Sequence, residues 1–366
     1  MSAIVGPGRM STTLSADGAR TGGDPAPGFT TAGRRRRTLR RVAVVGGLIL
    51  LVAALWWATV LLGQTRYSVA EALRVMAGQT VPGASFVVGE LRLPRALVGL
   101  LAGLAFGMAG TTSQTMLRNQ LASPDIIGIT SGASASAVFA ILVLGWSGTP
   151  VTALAVLAGV ATAAVIYLLS GSGRAQGGRL ILIGIGVSSM FSSIIAYLQM
   201  RASVYDVADA MRWLSGSLGS ASWEQVPLLT ASLIVLGALL ALAGRGLGPM
   251  VLGEETATGL GVNVPRTRAV LVLAMVGLSA VATAATGPIA FVSFLAGPVA
   301  GRLVGPTDRS LLVPAGLMGA AIVLGADLLS QQVLPTALPV GVVTGIVGAP
   351  ALLVQLLRVN RQGASA

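Results

Sequence analysis

The sequence predicts an all-α, polytopic membrane protein with about ten transmembrane helices, and three observations predict it. Of 366 residues, 54% are hydrophobic and only 10% charged, with a mean hydropathy of +0.83. That balance lies far from a soluble domain. Apolar stretches of about 20 residues, the length that crosses a bilayer core, recur along the chain. The basic residues are also placed asymmetrically: all 24 are arginine, and eight precede Val42, six of them within Arg34 to Arg41. A basic block beside an apolar span is the signature of a cytoplasmic flank facing anionic lipid, and it argues against a nucleic-acid patch. The chain contains no cysteine and no histidine. Disulfides, thiol nucleophiles and the commonest metal ligand are therefore excluded. Without lysine, the phosphate-binding loop of an ATPase is excluded too.

Residues 1 to 33 are rich in Gly, Pro, Ser and Thr and have no periodic apolar face, so 1–41 reads as a disordered basic tail. Residues 42–358 form the membrane domain, and 359–366 a short C-terminal tail. The spans are expected at 42–62, 94–116, 126–146, 150–170, 180–200, 226–244, 268–287, 289–304, 311–331 and 339–357. The first is too long for a signal-peptide core and reads as a retained helix. Ten spans put both termini on one side. With the N-terminus inside, eighteen arginines fall on inner segments and six on outer ones, which supports a multi-pass protein of the cytoplasmic membrane with both termini cytoplasmic.

Between the first two spans, Ser68 followed by Glu71 reads as a capped short helix. The second span opens with Arg92-Leu-Pro-Arg95 and carries Gly99, Gly103 and Gly107 four apart, a stripe that admits a neighbouring helix closely. Gln114, Arg118, Asn119, Gln120, Ser123, Pro124 and Asp125 follow. A polar, proline-interrupted corner cannot face lipid and must reach water or be buried in protein. Gln114, Asn119, Pro124, Asp125, Gly128, Ser131 and Gly132 are therefore candidates for a pathway or gate, with Pro298 from the eighth span. In the outer segment 201–225, Tyr205, Trp213 and Trp223 read as interfacial anchors. The inner loop Arg245 to Arg268 holds Gly253, Glu254, Glu255, Ala257, Leu260 and Gly261, expected as a short amphipathic helix from Glu254 to Leu260 ended by Gly261, with Ala257 and Leu260 on one face. Pro288 and Pro298 bound a short segment expected to break or kink. Gly341 and Gly345 open the last span as further packing positions.

Arg92-Leu-Pro-Arg95, the glycine-rich helix, Arg118-Asn119-Gln120-Leu121-Ala122-Ser123-Pro124-Asp125-Ile126-Ile127-Gly128 and Ser131-Gly132-Ala133 resemble the permease subunits of ABC importers for ferric siderophores and vitamin B12. The resemblance covers roughly residues 64 to 358. It departs from the family's pattern at Gln120, where a proline is usual, and at Val299, where many members have histidine. The resemblance implies a permease that translocates a ferric siderophore, with cobalamin or heme as the alternative. It implies no catalytic residue and no cofactor on this chain, ATP and Mg being held by the partner ATPase. Implied partners are a second permease copy or paralogue, two ATP-binding subunits and an extracytoplasmic substrate-binding protein. By the same resemblance, residues 253–261 are the element that docks on the ATPase, and Arg92 and Arg95 receive acidic residues of the binding protein. A further outer arginine expected near Gln331 is absent.

Two other classes compete. An ion-coupled transporter needs ionisable groups within the membrane. Asp327 is the candidate, and it reads equally as a helix-end acid reaching water. An intramembrane enzyme lacks any acid, base or metal constellation here.

Overall fold

In hydrocarbon every backbone N–H and C=O must find a partner within the protein, which leaves helices as the available solution for a chain of this pattern. In the computed structural model, which describes residues 27–125, 128–171, 176–251, 253–306, 310–334 and 336–363, all regular elements among those residues are helical. In order they are α1 (Pro27–Leu61), α2 (Val69–Met76), α3 (Ala84–Phe86), a π-helical stretch Val87–Arg92, α4 (Leu93–Met116), α5 (Ile129–Leu142), α6 (Thr149–Ser170) and α7 (Gln176–Arg201). Then come α8 (Val204–Leu214), α9 (Gln225–Ala243), α10 (Leu247–Val251), α11 (Glu254–Gly259), α12 (Val264–Thr286), α13 (Val292–Val304), α14 (Leu312–Gln332) and α15 (Val340–Gly363). Among the described residues, seven helical segments are long and apolar enough to cross a membrane, and three shorter apolar helices, within α5, α13 and α15, bring the set to the ten expected.

Several boundaries differ from expectation. Helix α1 begins at Pro27, so residues 27–41, expected to be disordered, are helical and continuous with the first span. Arginine is a good helix former, and two of these arginines are tied down: Arg40 donates from Nε to the Leu303 carbonyl (3.0 Å) and from Nη2 to that of Arg302 (3.1 Å), while Arg41 Nη2 reaches the Ser310 carbonyl (2.8 Å). The arginine block thus also caps the end of α13 and the approach to α14. The second span starts ten residues early, because α3 and the π-helical stretch run into α4 without a break. Helix α15 continues to Gly363, past the expected end of the membrane domain. Pro298 sits inside α13 and does not end it. Residues 1–26, 126 and 127 lie outside the described residues.

Helices α4, α12 and α14 form the centre, with 67–78% of their spans buried, whereas α7 and α9 bury 11% and 17% and face outward. The glycine stripe explains the tightest contact. A Cβ on Gly103 would lie 2.5 Å from Ala320 Cα, and one on Gly107 would lie 2.1 Å from the Ala315 carbonyl oxygen. Gly319 answers from α14, its own hypothetical Cβ falling 2.2 Å from the Gly103 carbonyl oxygen. Backbone meets backbone there, which is how helices associate where expelling water offers nothing. Gly99 is filled by Leu218 and Leu324, and Gly341 packs its backbone on Ser215. Gly345 has nothing within 4 Å where a Cβ would stand, so it is not a packing position within this chain.

One end of the bundle carries α2 and α8. There α2 has the expected capping box of Ser68 and Glu71, and those hydrogen bonds hold the Glu71 carboxyl below its ordinary range. Helix α8 is capped by Ser203 and is tied in at its far end: Ser217 N–H donates to the Thr286 carbonyl (2.8 Å) and Gly341 N–H to the Gly216 carbonyl (2.9 Å). The expected interfacial aromatics divide. Tyr205 is 88% exposed, whereas Trp213 packs on the α5–α6 core and Trp223 Nε1 donates to the Gly89 carbonyl at 2.9 Å. The other end carries the corner 117–125 and helix α11.

Candidate functional site

Helix α4 ends in a Schellman motif: Arg118 N–H donates to the Thr115 carbonyl (3.3 Å) and Asn119 N–H to that of Gln114 (3.0 Å). The residue that turns the chain in such a motif takes a left-handed backbone, usually glycine's role. Here it is Arg118, with φ +50°, a conformation that costs an ordinary residue about 1–2 kcal/mol. Its guanidinium crosses to α10, where Nη2 donates to the Met250 carbonyl.

Gln114, in the last turns of α4, is buried and spans the junction between three segments. Its Nε2 donates to the Gln120 carbonyl in the corner (3.1 Å) and to the Phe294 carbonyl in α13 (2.9 Å). The second bond has a clear cause. Pro298 has no N–H, so the carbonyl four residues before it loses its helical donor. That carbonyl is Phe294, and Gln114 supplies the missing partner across the helix pair. Gly297 leaves the room: a Cβ there would sit 2.1 Å from Gln114 Oε1. The sequence reading placed Gln114 and Pro298 in one functional set, and the fold joins them directly. The i, i−4 relation to Pro298 could have pointed to this partnership only with the α4–α13 contact known.

The other corner residues lie around this joint. Asn119 is exposed and its Oδ1 accepts from Leu121 N–H (2.9 Å), an Asx turn. Pro124 is buried. Asp125 is half-buried, and desolvation pushes its carboxyl up to about 7. Gly128 turns into α5 with φ +88°, against Gly184 and Ser188 of α7. Gly132 faces Thr162 of α6, where a Cβ would lie 2.0 Å from the hydroxyl, and Ser131 is half-buried. Gly128 and Gly132 are thus contact points between helices, and the structure does not gather the whole predicted set around one opening.

Helix α11 ends as the sequence predicts. Leu260 is the C-cap and Gly261 turns the chain with φ +84°. Gly261 N–H donates to the Thr258 carbonyl (2.9 Å) and Val262 N–H to that of Ala257 (3.0 Å). The expectation that Ala257 and Leu260 share a face is corrected. Ala257 is fully buried against Met250, Val262 and Val264, whereas Leu260 is 63% exposed. Leu260 is the C-cap residue, its N–H still bonded to the Thr256 carbonyl (3.0 Å), and its side chain lies beyond the cluster that covers Ala257. Glu255 is exposed, and Gly253 enters the helix with φ +127°. The α11 knob therefore stands on a buried alanine and presents a leucine outward.

At the opposite end, Arg92 and Arg95 are spent on the framework. Arg92 Nη1 donates to the carbonyls of Val60 (3.2 Å) and Leu61 (3.1 Å), Nη2 donates to that of Thr65 (2.7 Å), and the group lies 5.2 Å from the Tyr67 ring centroid. A cation at the carbonyl end of α1 satisfies groups the helix leaves open. Arg95 forms a two-pronged pair with Asp327: Nη2 to Oδ1 at 2.7 Å and Nε to Oδ2 at 3.1 Å. Gln331 Nε2 adds a third donor at 2.6 Å. Asp327 has no exposed surface, so it is not a helix-end acid reaching water. The docking role expected of both arginines meets two guanidinium groups already committed within the chain. Gln331 stands where the resemblance implied a further arginine nearby, and its amide completes the donors to the Asp327 carboxylate. Composition gave no signal that Asp327, 232 positions away, was the partner.

Closely packed central helices, two little-buried outer ones, a proline-jointed polar corner and a short projecting knob make up an all-helical, multi-pass membrane bundle. The chain belongs to the FecCD transport family, whose model matches residues 44–358. It is 35% identical over 301 residues to the ferric enterobactin transport system permease protein FepG of Escherichia coli, covering 82% of this chain and 91% of that protein. It is also 35% identical over 308 residues to the iron(3+)-hydroxamate import system permease protein FhuG of Bacillus subtilis, covering 82% and 92%. Among solved structures, an inward-facing conformation of a metal-chelate type ABC transporter matches with a TM-score of 0.77 at 27% identity, over 86% of this chain and 99% of that one.

Proposed function

We propose that the chain is the membrane-spanning permease subunit of an ATP-binding-cassette importer that carries a ferric siderophore inward across the cytoplasmic membrane. The observation that supports this best is α11: a knob of fixed shape, seated on buried Ala257 with Leu260 exposed, held at the end of the bundle where the polar corner lies. Such a knob fits a groove on an ATPase subunit and passes on its rigid-body motion. ATP and Mg belong to two such partners. The substrate class follows the relatives, whose names cite enterobactin and hydroxamate carriers. A second copy or paralogue packs on the outward faces of α7 and α9, and the pathway runs between the two permeases. An extracytoplasmic binding protein delivers the ligand at the α2–α8 end. Asp327, the acid considered for ion coupling, is held by Arg95 and Gln331, which suits a framework role.

The test is uptake in a deletion strain complemented with this chain and its partner genes, using ferric enterobactin, a ferric hydroxamate, ferric citrate, cobalamin and heme. ATP-dependent uptake of at least one ferric siderophore is expected. Uptake of cobalamin or heme alone would overturn the substrate class. Uptake by this chain without an ATPase, driven by an ion gradient, would overturn the mechanism.

A further inference from the structure

We infer that Arg118 is a positioning residue: its side chain is the strut that makes the corner 117–125 move with the α11 knob. The inference rests on the proposed role of α11 as the contact for an ATPase, and deepens it by naming how that contact reaches the bundle.

Two independent observations point to the side chain of Arg118. The first is its backbone. Helices α4 and α11 end in the same Schellman motif, and α11 uses Gly261 at the left-handed position, whereas α4 uses Arg118 at φ +50°. Glycine would be the easier residue there. Strained positions of this kind persist where the side chain is needed. The second observation is where that side chain goes. Its Nη2 donates to the Met250 carbonyl in α10, and the same carbonyl accepts the N–H of Gly253 (3.3 Å), the residue that opens α11. Met250 also packs beneath Ala257. The strut therefore lands on the root of the knob.

From Arg118 the connection continues through three hydrogen bonds of 2.9–3.1 Å. The Asn119 N–H is held by the Gln114 carbonyl, and the Gln114 side chain holds both the Gln120 carbonyl and Phe294 of α13. A displacement of α11 is thus carried by guanidinium to the end of α4, and by one amide to the proline joint of α13. A continuous hydrogen-bonded connection between packed elements passes on rigid-body motion, whereas a solvated loop would absorb it.

The native chain has no cysteine, so spin labels at Gln120→Cys and Gly259→Cys report on this link without background. The assembled transporter, with its ATPase subunits in lipid nanodiscs, is measured nucleotide-free and trapped with Mg-ADP-vanadate. With Arg118 present, a single narrow distance that is the same in both states is expected. Arg118→Gly should melt no lower than the parent and should keep its ATPase subunits, yet the distance should broaden and shift on trapping. The ferric siderophore carried per ATP should fall at least tenfold. Arg118→Lys, which keeps a donor, should recover most of the narrow distance. A narrow, unshifted distance in Arg118→Gly would overturn the strut. Leu260→Glu serves as the control on the underlying reading. If it releases the ATPase subunits while Arg118→Gly stays narrow, the strut fails and the contact role of α11 stands. If it retains them with full transport, the contact role itself fails.

Discussion

With no exposed surface, the carboxylate of Asp327 has to be neutralised inside the bundle, and Arg95 with Gln331 does so using three donors. Taking both charges out of water costs several kcal/mol, so the pair need not stabilise the fold relative to apolar residues of similar size. Removing one partner is different, because it strands the other: about 3–5 kcal/mol is lost. Asp327→Ala and Arg95→Met should each lower the melting temperature in detergent substantially, and Arg95→Met with Asp327→Leu should recover most of the loss. Additive losses in the double variant would mean that the two groups act separately. Asp125 gives a pH test of the opposite kind. Its folded-state pKa of about 7 lies above the unfolded value near 3.8, so the unfolded state holds fewer protons between those values. Stability is then lost as pH rises from about 4 toward 7 and is level beyond. Asp125→Asn cannot ionise. Its thermal advantage over the parent should grow from pH 5 to pH 7 and stay constant at higher pH, and an advantage that does not vary with pH would show that desolvation of Asp125 is not the cause.

Elements were easier to read than their faces. Length and hydropathy predict ten apolar segments because a bilayer sets the length, and among the described residues seven helices reach that length while three apolar ones are shorter. Their ends were less legible, since α1 and the π-helical start of α4 are extended by hydrogen bonds to distant segments, Arg40 to α13 and Arg92 to α1. The cap of α11 was legible because Gly261 acts locally, while the burial of Ala257 and exposure of Leu260 depend on Met250, Val262 and Val264, which lie outside the helix. For the glycine stripe, four-residue spacing indicates a shared face but not its partner. The fold supplies it: α14 contributes Gly319 and Ala320 opposite Gly103. Even one added carbon would meet backbone at 2.5 Å, and backbone cannot yield as a side chain does. Gly103→Leu should therefore abolish folded protein in the membrane, beyond the roughly 1–3 kcal/mol typical of overpacking. Gly345→Ala should be accumulated normally, there being no atom within 4 Å to meet it. Size-exclusion profiles of detergent extracts check both, and a monodisperse peak at parental yield for Gly103→Leu would refute the close approach.

For the whole molecule, the open matter is which end faces the cytoplasm, and charge supplies the argument. With the N-terminus inside, eighteen of the 24 arginines fall on the inner side. An excess of arginine in short segments beside the spans is retained on the cytoplasmic side during insertion. The fold sharpens that argument, because two of the six outer arginines serve as internal fasteners: Arg92 holds the end of α1 and Arg95 holds Asp327. Arg34 to Arg37 are exposed on α1, available to anionic headgroups. The end with α11 is therefore expected inside and the end with α2 outside. Single cysteines test this directly in a chain that has none. Gln79, just beyond α2, is exposed, and Gly259 in α11 has no neighbour within 4 Å where its side chain would stand. In intact spheroplasts a membrane-impermeant maleimide should label Gln79→Cys at once and Gly259→Cys only after the membrane is permeabilised. The reverse pattern would invert the protein and turn the α11 knob away from ATP, and so would refute the proposed drive.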